Sequence, residues 1–196
     1  MNNLNTLKVK FIGDKGLILH NGQLVDPTNP IVIDQKKITA KGKKKTDADL
    51  IELARLEWLG GLYLSESKRI CIPSDNIERC IQQGAQKLRM GPEVKAGMWL
   101  EESEIEIECP FINGQTLDQL YKDKRFVHKK SVAITTSRVI RVRPIIPAWS
   151  ISFTLVFDDE ITSERNLKDA IDKAGLLVGL GDWRPKFGRF HAEYPE

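Results

Sequence analysis

Between Gly179 and Phe190 the chain places three glycines, two arginines, one lysine and three aromatic residues within twelve positions, Gly179-Leu-Gly-Asp-Trp-Arg-Pro-Lys-Phe-Gly-Arg-Phe190. Glycine lets a backbone take positive φ or come close to a ligand, and the successive N–H groups of such a loop can face phosphate oxygens. Arg184, Lys186 and Arg189 add positive charge, while Trp183, Phe187 and Phe190 offer faces on which bases stack. The chemistry served by this combination is the binding of a polyanion. The plain alternative is a glycine turn whose aromatics enter the core ahead of a last strand.

Further cations lie in clusters. Lys36, Lys37, Lys41, Lys43, Lys44 and Lys45 fall in one run without an acid, Lys122 to Lys130 holds five basic residues against Asp123, and Arg138, Arg141 and Arg143 share one segment. The net charge of the 196-residue chain is only +3 with a pI near 8.7, so bulk electrostatics would not draw it to nucleic acid; the distribution matters more. Glu101, Glu102, Glu104, Glu106 and Glu108 form an opposing acidic stripe, a polarity that permits head-to-tail contact between copies or simply marks a solvated strand face. The lysine run has an equally plain alternative as a solubilising loop.

Several chemistries are excluded by pattern. There is no Walker loop, no Gly-x-Ser-x-Gly elbow and no His-Glu-x-x-His helix, and Gly179-x-Gly181 precedes a strand instead of opening a helix, so it is no dinucleotide fingerprint. Cys71, Cys80 and Cys109 are odd in number and form no Cys-x-x-Cys pair, which predicts reduced, buried thiols and neither a disulfide framework nor structural zinc. No cofactor is expected. Met1 to Thr6 shows no basic region leading into an apolar core, and no window approaches about eighteen consecutive apolar residues, so a soluble, cytoplasmic protein is expected.

The elements that must carry these residues follow from periodicity. Leu7, Val9 and Phe11 alternate with polar positions in a first strand broken by Gly13 and Gly16. His20 to Lys45 is turn-rich, with Asn21-Gly22, Asp26-Pro27 and Asn29-Pro30, and is expected to be an exposed, mobile excursion. Thr46 with Asp49 signals a helix start, continued by Leu50, Leu53, Ala54 and Trp58. Ser74 caps a second helix in which Ile77, Cys80, Ile81, Gly84, Ala85 and Leu88 share a face, Gly84 implying close packing. Ile105, Ile107 and Cys109 mark a half-buried strand. Ser131 to Val142 reads as one more, with Val132, Ile134, Ile140 and Val142 on one face and Pro144 and Pro147 ending it. Ile151, Phe153, Leu155 and Phe157 follow, then a helix from Thr162 or Ser163 with Leu167, Ala170, Ile171 and Ala174 buried. Phe190, Ala192 and Tyr194 close the order. Trp58, Trp99 and Trp149 are expected in the core, with interface anchoring as the alternative.

With the basic segment of about residues 20–72 removed, the order becomes β-α-β-β-α-β. This predicts an α+β, ferredoxin-like or RRM-like single domain, 1–196, with an inserted basic, partly helical segment. The open sheet face of such a core is a common platform for single strands.

Three segments resemble the RAMP superfamily, whose ferredoxin-like members form the crRNA-binding backbone of CRISPR effector complexes. The Gly-x-Gly, Arg and Gly-Arg-Phe elements of Gly179 to Phe190 resemble its carboxy-terminal glycine loop, Ile72-Pro-Ser-Asp-Asn-Ile-Glu-Arg-Cys-Ile81 its proline-serine helix start, and Leu19-His-Asn-Gly22 to Asp26-Pro-Thr-Asn-Pro-Ile-Val32 its loop after the first strand. Asp75, Asn76 and Glu78 ahead of Arg79 depart from the helix-start pattern. The Leu-x-His-Asn-Gly start and the Gly-Leu-Gly-Asp-x-Arg-Pro end are also similar to proteins encoded by bacteriophages. The resemblance implies a non-catalytic protein that coats single-stranded RNA or DNA by self-association, through Lys36, Lys37, Lys41, Lys43, Lys44, Lys45, Arg138, Arg141, Arg143, Trp183, Arg184, Lys186 and Arg189. It also implies two alternatives. Asp26, with Asp34 nearby, could serve a metal-dependent RNA cut, or the chain could be a viral interaction module that mimics or caps an effector backbone. His20, His128 and His191 could do metal-free acid–base work on RNA, although nothing in their spacing fixes them together.

Overall fold

Apolar residues at every second position of Leu7–Phe11 and Ile151–Phe157 require a sheet with one face buried, and the computed structural model contains it. Residues 4–134 and 137–195 are described. In chain order the elements are β1 (Leu4–Gly13), β2 (Leu17–Ile18), α1 (Pro30–Thr39), α2 (Asp47–Gly60), β3 (Cys71–Pro73), α3 (Ser74–Lys87), α4 (Gly91–Gly97), β4 (Met98–Leu100), β5 (Glu104–Glu106), α5 (Leu117–Lys122), β6 (Val127–Ile134), β7 (Ser137–Ile146), β8 (Ser150–Asp158), α6 (Glu164–Lys173) and β9 (Phe190–Glu193). They fall into two compact units, residues 4–17, 64–111 and 147–195 in the first and the remaining described residues in the second.

The first unit holds a four-stranded sheet in the order β4-β8-β1-β9, and every neighbouring pair is antiparallel. Leu7, Val9 and Phe11 of β1 stand opposite Leu155, Phe153 and Ile151 of β8, which makes one continuous buried face. Helices α3 and α6 pack on each other so closely that a side chain at Gly84 would overlap the Ala170 carbonyl oxygen and lie 2.7 Å from Ala174 N. Leu167, Ala170 and Ile171 of α6 and Ile77, Cys80 and Ile81 of α3 are buried. The order β1-α3-β4-β8-α6-β9 with this strand arrangement is the ferredoxin-like one. The α+β core expected from periodicity is therefore present. A second, two-stranded sheet joins β3 to β5.

The second unit begins within β2, at Ile18. It contains α1, α2, α5 and the β6–β7 hairpin, with β2 completing a sheet in the order β2-β7-β6. Trp58 of α2 is buried, and its indole N–H donates to the Phe126 carbonyl at 2.8 Å. Removing that donor strands a buried carbonyl. Trp58→Phe is expected to cost about 1–3 kcal/mol, read as a lower urea midpoint with an unchanged slope.

Four expectations are corrected. His20–Lys45 is not a loose excursion: the Asn29 side chain caps α1 through Ile31 N, and Pro30 at its first position is a helix start, not a breaker. Ser131–Val142 is two strands of a hairpin, which pairs Ser131 with Ile140 and Val132 with Val139. Val132 is thus on the opposite face from Ile140 and Val142; the side chain of Ile134 lies outside the described residues. Pro144 does not end its strand but continues it, its carbonyl accepting from Leu19 N at 3.0 Å. Ile105, Ile107 and Cys109 are buried as expected, yet β5 pairs β3, and the edge of the main sheet is β4, too short to show a period.

Trp58 and Trp149 are each buried in their own unit, whereas Trp99 is 40% exposed. Cys71, Cys80 and Cys109 are free and buried. No helix of the described residues is long and apolar enough to cross a membrane.

Candidate nucleic-acid interface

In the first unit, a π-helical turn at Ala174–Val178 leads into the glycine loop, where Gly179 and Gly181 take φ of +77° and Gly188 +70°. Leu180 N donates to the Gly188 carbonyl at 2.8 Å and Gly188 N to the Gly16 carbonyl at 2.9 Å, so the loop is pinned across its base. Cys80 Sγ donates to the Gly179 carbonyl at 3.2 Å; burial pushes its thiol up to about 12, which keeps the donor protonated at neutral pH. The backbone N–H groups at the base are used in holding the loop. Its side chains are what it offers.

Arg184 is exposed and oriented by hydrogen bonds to Gln83 Oε1 at 3.2 Å and the Gly179 carbonyl at 3.4 Å. Arg189 Nε donates to the Pro185 carbonyl at 2.9 Å, and Lys186 is exposed without an acidic partner among the described residues. Trp183 and Phe187 are half-buried, with ring centroids 6.1 Å apart. Phe190 is not a stacking face for a base. It is buried, stacked on Phe11 at 4.0 Å, because it begins β9 on the core side of the sheet.

In the second unit the lysine run lies on the end of α1 and the turn after it. Lys37 pairs with Asp34 at 2.7 Å, and Lys41 pairs with Asp49. The Lys41 ammonium, with the Thr46 N–H, holds the Asp49 carboxyl down at about 2. Lys36, Lys43, Lys44 and Lys45 have no acidic partner among the described residues.

The hairpin sorts its cations by register. Lys130 faces Arg141 and His128 faces Arg143, all four on one side, while Arg138 and Lys129 are on the other. Arg141 is also paired with Glu57 at 3.2 Å, and Glu57 accepts from Val142 N. Arg138 donates to the Ser131 hydroxyl at 3.0 Å. Lys130 belongs with Arg141 and Arg143 but was not singled out by sequence; its signal, the basic run Lys122–Lys130, acquires a face only once the hairpin register is known.

The acid–base candidates are dispersed. Asp26 accepts from the Thr28 hydroxyl and N–H, which lower its carboxyl below the usual range, and Asp34 is taken by Lys37. Among the described residues no group of three or more His, Cys, Asp or Glu side chains could hold a metal ion. His20 gives its carbonyl to Tyr63, and His191 Nδ1 lies 2.7 Å from Asp14 Oδ1 in an exposed pair.

No family model and no curated protein matches the sequence. In fold the chain is similar to one in the cryo-EM structure of the Type III-B Cmr-beta bound to cognate target RNA, with a TM-score of 0.50 and 10% identity. The match covers 99% of this chain and 60% of that one, so the protein spans less than two thirds of its neighbour's length.

Proposed function

We propose that the protein binds single-stranded nucleic acid through its phosphates, with weak base preference and without cleaving it, and that copies associate along the strand. The observation that carries this is the placing of Lys130 directly opposite Arg141 on one hairpin face. Like charges facing each other across a ladder destabilise it; Glu57 neutralises part of the Arg141 charge, and a phosphate over both cations offsets the rest. Four lysines without acidic partners add further cations in the same unit, and Arg184, Lys186 and Arg189 supply another group in the first unit. Exposed Glu101 and Glu104 offer a complement for the cations of a second copy. The likeness in fold to a chain of an RNA-bound assembly supports the same class of ligand.

Salt is the test. If about six to ten phosphates are contacted, affinity for a labelled single strand falls by roughly a thousandfold or more between about 50 and 200 mM salt. Fluorescence anisotropy reads it directly. Tight binding that ignores salt, or no binding at all, overturns the proposal.

A further inference from the structure

In the four-stranded sheet, the residues that alternate with the buried ones belong to the open face. Pairing aligns Trp99 of β4 with Val156 of β8, and Val156 with Thr6 of β1, so the three form one row across that face. Trp99 is 40% exposed, and Leu4, at the start of β1, is 44% exposed. The next rows toward the glycine loop pair Lys8 with Thr154 and Lys10 with Ser152. Lys8 is exposed, whereas Lys10 is half-buried, lies 3.8 Å from Glu108 and stands opposite Glu193 of β9.

Two features separate this corner from an ordinary sheet surface. The central strands β1 and β8 place no aromatic residue on the open face, and His191 of β9 is engaged with Asp14, so the indole of the edge strand is the one broad ring that the described residues present there. Its exposed apolar company is also small. Trp99, Val156 and Leu4 fall far short of the roughly 800 Å² that each partner buries in a stable protein interface, and the neighbouring rows are lysine, serine and threonine. A nucleobase needs only one ring face, with cations along its backbone.

The placing of charge agrees. Asp14 N donates to the Arg189 carbonyl and Gly188 N to the Gly16 carbonyl, which sets the glycine loop beside the Gly13 end of β1. The Trp99 row crosses β1 at Thr6, seven residues back, or about 24 Å along the strand. Lys10 and Lys8 stand between. A strand whose phosphates meet Arg189 thus passes over both lysines before it reaches the indole.

We propose that Trp99 is a base-stacking site on the open sheet face, holding one unpaired base against its indole while Lys8 contacts the adjoining phosphate. The site rests on the single-strand binding proposed above and adds the place where a base is gripped. An indole stacks on any base, which is in keeping with weak base preference.

Tryptophan emission tests it with the full chain. Trp58 and Trp149 are buried, and Trp183→Phe removes the indole of the glycine loop, so strand-induced quenching in that variant reports Trp99. Oligouridine and oligodeoxythymidine are expected to quench, and an abasic phosphodiester strand of equal length is not. In the otherwise unsubstituted chain, Trp99→Ala is expected to weaken binding of the base-bearing strands about tenfold, the worth of one stacked base. Trp99→Phe, which keeps a ring, should stay within about threefold of the original. Thermal midpoints of both variants separate lost stacking from lost folding. Base-bearing strands that bind by anisotropy but quench nothing overturn the Trp99 site and leave strand binding intact. So does a folded Trp99→Ala protein that binds as tightly as the original, or one that loses as much affinity for the abasic strand as for the others. Failure of every strand to bind overturns the site and strand binding together.

Discussion

Gly188→Ala is expected to cost about 3 kcal/mol or more of folding stability. Two penalties coincide at this position. Gly188 takes φ of +70°, a conformation that strains any L side chain. An added Cβ would also overlap the Leu180 carbonyl oxygen and lie 2.8 Å from its carbon and 3.0 Å from its nitrogen. All three are backbone atoms, and they cannot rotate aside. Gly188 is held on both flanks, by its carbonyl accepting from Leu180 N and its N–H donating to the Gly16 carbonyl, so the loop must open if it moves. Urea unfolding reads the loss as a fall in midpoint. Gly114→Ala is the control, since Gly114 takes φ of +66° but meets nothing within 4 Å and should lose only about 1 kcal/mol or slightly more. Equal losses at the two positions would show that the loop is not closely packed.

Replacing Lys36, Lys43, Lys44 and Lys45 together with serine is expected to weaken single-strand binding about a hundredfold at low salt and to flatten the salt dependence by up to about three in slope. These four are chosen because no acid among the described residues neutralises them, whereas Lys37 and Lys41 already hold Asp34 and Asp49. Stability should not fall with affinity. Lys36, Lys43 and Lys44 are exposed and Lys45 is half-buried, and removing like charges close together in the chain relieves repulsion. An unchanged slope would confine phosphate contacts to the hairpin and the glycine loop, and the lysine run would then serve solubility alone.

Much of the core was legible because burial imposes a period. Strands β1 and β8 each put an apolar residue at every second position, α3 and α6 each repeat one at three and four, and Phe190 and Ala192 alternate with His191 and Glu193 in β9, so five of the six core elements could be placed from residue order alone. The strand β4 could not. Three residues, Met98, Trp99 and Leu100, are too few to show alternation, and their identity as the sheet edge comes only from pairing with β8. Pro30 was misleading for a related reason: proline ends helices and begins them, and the Asn29 side chain reaching Ile31 N is what selects the beginning.

The glycine loop shows the same division within twelve residues. Its composition is enough to predict positive φ and an exposed cationic turn, since those properties belong to glycine, arginine and lysine wherever they stand. It cannot say that Phe190 faces Phe11 while Trp183 does not, because side-chain direction is set by where β9 begins to pair with β1. Register likewise decided that Arg141 stands with Lys130 and apart from Arg138. Type and spacing along the chain thus determined which residues carry charge, which carry the core and which elements they form. Which charges share a surface was decided only by the folded chain, because a hairpin turn reverses direction and a shift of one residue in pairing moves every side chain to the other face.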